Sequence, residues 1–105
     1  MAWICLLVAG LLEVVWATAM KQSQGFTRPV PTLIMAVALV ASFVLLSTAM
    51  RALPLGTAYM VWTGIGAIGA FVVGAACLGE PLNAARVIAA VLIVAGMVIM
   101  KTSDG

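Results

Sequence analysis

Four stretches of nearly unbroken apolar residues divide the chain, separated by short polar or turn-forming segments. A bilayer core about 30 Å thick takes about 20 helical residues to cross, within a range of about 17 to 25. The first stretch covers residues 2–20 and ends at Lys21, before the polar run Gln22, Ser23, Gln24 and Gly25. The second covers 31–50 and is closed by Arg51. Pro29 and Pro31 suit the loop and first turn there, because proline lacks the N–H that a helix start leaves unused. Pro54 and Gly56 precede the third stretch and Gly79, Glu80 and Pro81 follow it, so it spans about 57–78 with Thr57 placed to cap its start. The fourth covers about 84–100, with Arg86 one turn inside its start and Lys101 at its end, two cations that must snorkel outward. The pattern predicts an all-α integral membrane protein with four transmembrane helices in one domain, 1–105. Short loops make successive helices antiparallel neighbours in an up-down bundle.

Composition agrees with that pattern. Of 105 residues, 66% are apolar and 8% charged, whereas soluble domains average about 45–50% apolar and about 25% charged. The charged residues are Glu13, Lys21, Arg28, Arg51, Glu80, Arg86, Lys101 and Asp104, and all but Glu13 fall at or near the borders of apolar runs. The net charge of +2 is scattered, without the basic face that nucleic-acid binding requires. Cys5 and Cys77 lie inside apolar runs with no metal-ligand spacing, and the chain has no histidine. They read as packing residues, and neither a metal site, a Cys/His nucleophile nor a Ser/His/Asp triad is expected, so the chain is not read as an enzyme. The first run lacks a preceding Lys or Arg and carries Glu13 near its centre, so it reads as a helix of the mature protein rather than a cleaved signal. Lys21, Arg28 and Arg86 fall on one membrane face, Arg51 and Lys101 with the amino terminus on the other. That near balance permits insertion in either orientation; that the one extra cation fixes a single orientation stands as an equal alternative. Four helices are too few to enclose a polar site and two alternately opened exits, so a homodimer is expected.

Glu13 is the one charge in the wrong solvent. An ionisable residue at mid-membrane costs about 2.5–3.5 kcal/mol on insertion scales and marks a functional site by default. A proton and a cation can compete for such a group. The plainer alternative is a neutral carboxyl that only bonds a neighbouring helix. Gly10, Glu13, Ala17 and Met20 share one helix face, with Trp16 on its flank. Tyr59, Trp62, Thr63 and Gly66 make a comparable stripe in the third run, and Ser42 is the polar residue near mid-span of the second. These groups are placed to hydrogen-bond the carboxylate, and the indole faces to hold a cation. Trp3, near a helix end, reads as an interfacial anchor, whereas Trp16 and Trp62 are too deep for the aromatic belt. Tyr59 by itself suits either place, and Ser42 by itself would commonly bond a helix backbone. Residues 64–69 match the dinucleotide pattern GxGxxG, but that fingerprint needs a preceding strand in a soluble unit. Inside a membrane helix, Gly64, Gly66 and Gly69 instead allow close packing or a functional bend. Ala85, Ala89, Ile93 and Gly96 form a packing stripe in the fourth run, and Glu80 reads as a solvated loop residue.

The short length, the four spans, the first-helix glutamate, the loop Gly25-Phe26-Thr27-Arg28 and Gly56-Thr57-Ala58-Tyr59 leading to Trp62 together resemble the small multidrug resistance transporters. Within that family, Leu12-Glu13-Val14-Val15-Trp16-Ala17 with Val61-Trp62-Thr63-Gly64-Ile65-Gly66-Ala67 looks like the guanidinium-exporter subtype. The multidrug subtype typically lacks the tryptophan matched by Trp16 and has serine where Thr63 stands. The resemblance implies an antiparallel, dual-topology homodimer in the bacterial cytoplasmic membrane, exchanging guanidinium and small substituted guanidinium ions for protons by alternating access. No cofactor is implied beyond the proton gradient. It carries over Glu13 as the shared proton and substrate site, with Trp16, Ser42, Tyr59 and Trp62 lining it. A dimer motif matches Leu92, Ile93 and Gly96, although Ala89 stands where the multidrug branch often has glycine. The alternatives are an exporter of quaternary ammonium cations, an accessory membrane subunit and a passive channel.

Overall fold

The computed structural model describes residues 1–103; Asp104 lies outside the described residues. Among the described residues the chain forms four helices: α1 (Ala2–Gln22), α2 (Pro29–Ala49), α3 (Leu55–Cys77) and α4 (Ala84–Ser103). Each is long and apolar enough to cross a membrane. In hydrocarbon no water satisfies backbone N–H and C=O groups, so a helix, which pairs them within itself, is the form these apolar runs take. The chain is a multi-pass, all-helical membrane protein.

Local chemistry sets the helix ends. Pro29 opens α2, two residues before Pro31, because the extended Arg28 (φ −100°, ψ 119°) precedes it, as a residue before proline prefers. Pro54 holds the N-cap of α3 and the helix starts at Leu55. Thr57 is therefore a buried residue of the first turn and not the cap its residue type predicted. Between α1 and α2 the chain turns through three left-handed residues, Gln24, Gly25 and Phe26 (φ 51°, 73° and 68°). Only glycine adopts that region without steric cost. Ser23, fully buried, holds the turn: its hydroxyl donates to the Met20 carbonyl at 2.6 Å and accepts from the Phe26 N–H at 3.1 Å. The Ser23 carbonyl accepts from the amides of Thr27 (2.9 Å) and Arg28 (3.1 Å).

The packing order departs from a sequential bundle. α1 lies between α2 and α3, whose backbones approach each other at few places although their side chains meet, and the α4 backbone approaches only α3. The result is an open layer of 42 × 35 × 16 Å. Its core is small: Leu6 and Ala9 of α1, Leu46 and Ala49 of α2, and Ala58, Val61 and Trp62 of α3. Small residues bring the helices close, as membrane helix interfaces favour. A side chain added at Gly10 would meet Ile65, one at Gly69 would meet Val14, and one at Gly64 would meet Met97 of α4. α4 has no buried residue; Leu92, Ile93 and Gly96 all face outward.

Candidate functional site

Glu13 sits mid-way along α1 and lays its carboxyl on the backbone of α3 at Gly66. A Cβ added to Gly66 would collide with Glu13 Oε1 and come within 2.8 Å of its Cγ. Gly66 thus provides the space the carboxyl occupies. Among the described residues, the buried Oε1 of Glu13 has no hydrogen-bond partner, and neither has the buried indole Nε1 of Trp16, one turn further along α1. An acceptor and a donor, both desolvated and unpaired, are costly features that a purely structural role leaves unexplained.

One turn from Glu13 in the other direction, a chain of hydrogen bonds ties three helices together. Trp62 Nε1 of α3 donates to Ser42 Oγ of α2 at 3.0 Å, and Ser42 donates to the Ala9 carbonyl of α1 at 2.7 Å. The Trp62 indole and the Ser42 proton are thereby spent on this chain and not on the Glu13 carboxyl. Tyr59 meets the Trp62 ring edge-on, with centroids 5.6 Å apart at 73°, and Phe43 lies tilted against the same ring at 5.7 Å. This aromatic group ends at the layer's surface, where Tyr59 and Phe43 are half exposed.

The structure therefore brings Glu13 onto Gly66 and gathers Ser42, Tyr59 and Trp62 into an adjoining group, while Trp16 packs against the core cluster that holds Trp62. Gly10 is filled by Ile65 and Gly64 by Met97, so both pack helices against each other; Gly69 does the same against Val14. Thr63 is exposed. Phe43 was not singled out in the sequence, where it is one apolar residue among many; the Ala9 carbonyl carries no sequence signal at all.

Glu80 lies in the loop, partly exposed, as its sequence suggests, and is also paired there. Gly79, with φ 69°, turns the chain after α3, and the Glu80 amide donates to the Gly74 carbonyl at 3.0 Å. The carboxylate then reaches both Lys21 Nζ (3.8 Å) and an Arg86 nitrogen (3.5 Å). Sequence separation hides this arrangement, since Lys21 belongs to the end of another helix.

A four-helix layer in which, among the described residues, Glu13 is the carboxylate lying between two spanning helices defines a small multi-pass membrane protein. The chain belongs to the Small Multidrug Resistance protein family, whose model matches residues 1–93. The family read from the Glu13 and Trp62 motifs is thus the one that matches. A Citrobacter freundii protein named Guanidinium exporter is 54% identical over 103 residues, covering 98% of each chain. Proteins of the same name from Salmonella typhi and Yersinia pseudotuberculosis are 53% and 52% identical. The Yersinia match covers 99% of this chain and the whole of that protein.

Proposed function

We propose that this protein exports guanidinium and small substituted guanidinium ions across the bacterial cytoplasmic membrane in exchange for protons, as an antiparallel, dual-topology homodimer. The observation that carries the reading is the half-buried Glu13, which lays its carboxyl over Gly66 at mid-helix with the buried Oε1 unpaired. A carboxylate there requires a proton or a cation to offset the cost of desolvation. Guanidinium is planar with forked donors and satisfies both carboxylate oxygens at once, as an arginine head group does. The relatives named Guanidinium exporter support that choice of cation.

The dimer is supported by the open layer, 16 Å thick, which encloses no pathway on its own, and by α4, whose residues are all unburied. Leu92, Ile93 and Gly96 would pack there against the second copy. In the cycle, guanidinium binds from the cytoplasm as protons leave the two Glu13 carboxyls, the dimer rocks, and external protons displace the cation outward. The proton gradient supplies the energy, and no cofactor takes part. Bare, charged glutamates must seldom complete the rocking step, since otherwise the gradient would leak. Trp16, Tyr59 and Trp62 line the path with ring faces suited to a passing cation, while Ser42 fixes the Trp62 ring.

Proteoliposome currents evoked by guanidinium and by a tetraalkylammonium ion test the proposal. The expected result is a guanidinium current that needs the pH-gradient coupling and vanishes in Glu13→Gln. A response to the tetraalkylammonium alone makes the protein an exporter of quaternary ammonium cations. Flux independent of the pH gradient makes it a channel, and no transport by the purified protein makes it an accessory subunit.

A further inference from the structure

Glu80 belongs to the loop between α3 and α4, yet its carboxyl folds back over the helix end, where a side chain added at Gly74 would strike it. Two cations meet it there. Lys21 Nζ lies 3.8 Å from one oxygen and a single Arg86 nitrogen 3.5 Å from the other. Neither is a close pair; a full-strength arginine–carboxylate pair uses two parallel bonds of about 2.7–2.9 Å. The Arg86 guanidinium carbon also stands 5.5 Å from the centroid of the Phe71 ring, within cation–π range. These groups rim a cavity of about 300 Å³ whose wall includes Ala17 and Ala70. Ala17 follows Glu13, and Ala70 follows Gly66, by one helical turn. These wall positions thus stand about 6 Å further along the helix axes than Glu13 and Gly66.

A guanidinium head group held loosely between a carboxylate and an aromatic face, next to the buried glutamate, is a copy of the transported ion carried by the protein itself. We propose that Glu80 and Phe71 form an outer cation subsite, held at rest by Arg86, where a free guanidinium ion takes the place of Arg86 on its way to or from Glu13. The subsite rests on guanidinium being the transported ion. Exchange of one guanidinium for another keeps the donors at Glu80, while the displaced Arg86, still tethered and charged, stays close and keeps the binding weak. Lys21 leaves the cluster with two cations to one carboxylate, so an entering ion is held briefly and passed on.

Equilibrium binding of radiolabelled guanidinium to the purified full-length protein in detergent tests the subsite. Glu13→Gln is expected to keep a second, weaker site. In that background Glu80→Gln is expected to remove it, and Phe71→Leu to weaken it about two- to fivefold, the worth of an exposed cation–π contact. Arg86→Gln, which removes the resident head group, is expected to strengthen it by about fivefold. Phe71→Leu keeps the position apolar and decides the matter if Glu80→Gln does not fold. The subsite is overturned if Glu13→Gln binds no guanidinium while the wild type does, or if its residual binding is untouched by Phe71→Leu and Arg86→Gln. A wild-type protein that binds none overturns the guanidinium reading and the subsite with it.

Discussion

Gly66 and Glu13 act as one unit, because the carboxyl occupies the space a side chain at Gly66 would fill. In Gly66→Ala the atom displaced is the end of a flexible side chain, so the carboxyl shifts while the helices stay packed. Loss of a charge-assisted pair worth about 1.5–3 kcal/mol weakens guanidinium binding by about ten- to a hundredfold, with thermal stability in detergent nearly unchanged. Isothermal titration beside a melting curve separates the two effects. Ser42→Ala does the reverse. It unties Trp62 and the Ala9 carbonyl, with a stability loss of about 0.6–1.7 kcal/mol, the range measured for hydrogen bonds between membrane helices. Unfolding in mixed micelles reads that loss directly. At this scale the carboxylate was legible in the sequence, since a charge amid apolar residues is conspicuous. The partners of Ser42 and Trp62 were not: the two residues are twenty positions apart in sequence, and nothing local signals that they meet.

Between elements, the same type of substitution has a different outcome. Gly10→Ala drives its new methyl into the branched Ile65 side chain, which is anchored at its own Cβ. Overpacking of that kind costs about 1–3 kcal/mol, so the protein melts lower while its preference among cations is retained. The α1–α2 turn is sensitive in another way. Ser23→Ala removes both bonds of the buried hydroxyl in a turn already carrying two non-glycine left-handed residues. The expected loss is about 1–3 kcal/mol, read as faster proteolysis between α1 and α2. The spans themselves could be read from apolar run length. The turn's interior and the starts of α2 and α3 could not, because proline chemistry and a single buried serine, rather than polarity, settle where each helix begins.

For the whole molecule, the near balance of Lys21, Arg28 and Arg86 against Arg51 and Lys101 bears on orientation. Single cysteines placed in the α1–α2 loop of a variant lacking Cys5 and Cys77 are expected to label from both sides of the membrane. Labelling from one side only contradicts dual topology. Two added lysines on one face should tip the population to a single orientation.

The sequence by itself determined that four helices form, that they lie in a membrane, and that Glu13 is the group that must be answered there. Those properties follow from solvent: hydrocarbon permits only self-satisfied backbone and charges any buried carboxylate a free-energy cost, whatever surrounds it. Tertiary structure decided which helix lies between which, that Gly66 rather than Ser42 or Trp62 receives the carboxyl, and that Glu80 gathers Lys21 and Arg86 at a cavity one turn further along. Those outcomes depend on how small residues let particular helices approach, a property of pairs of surfaces that no single run of residues contains.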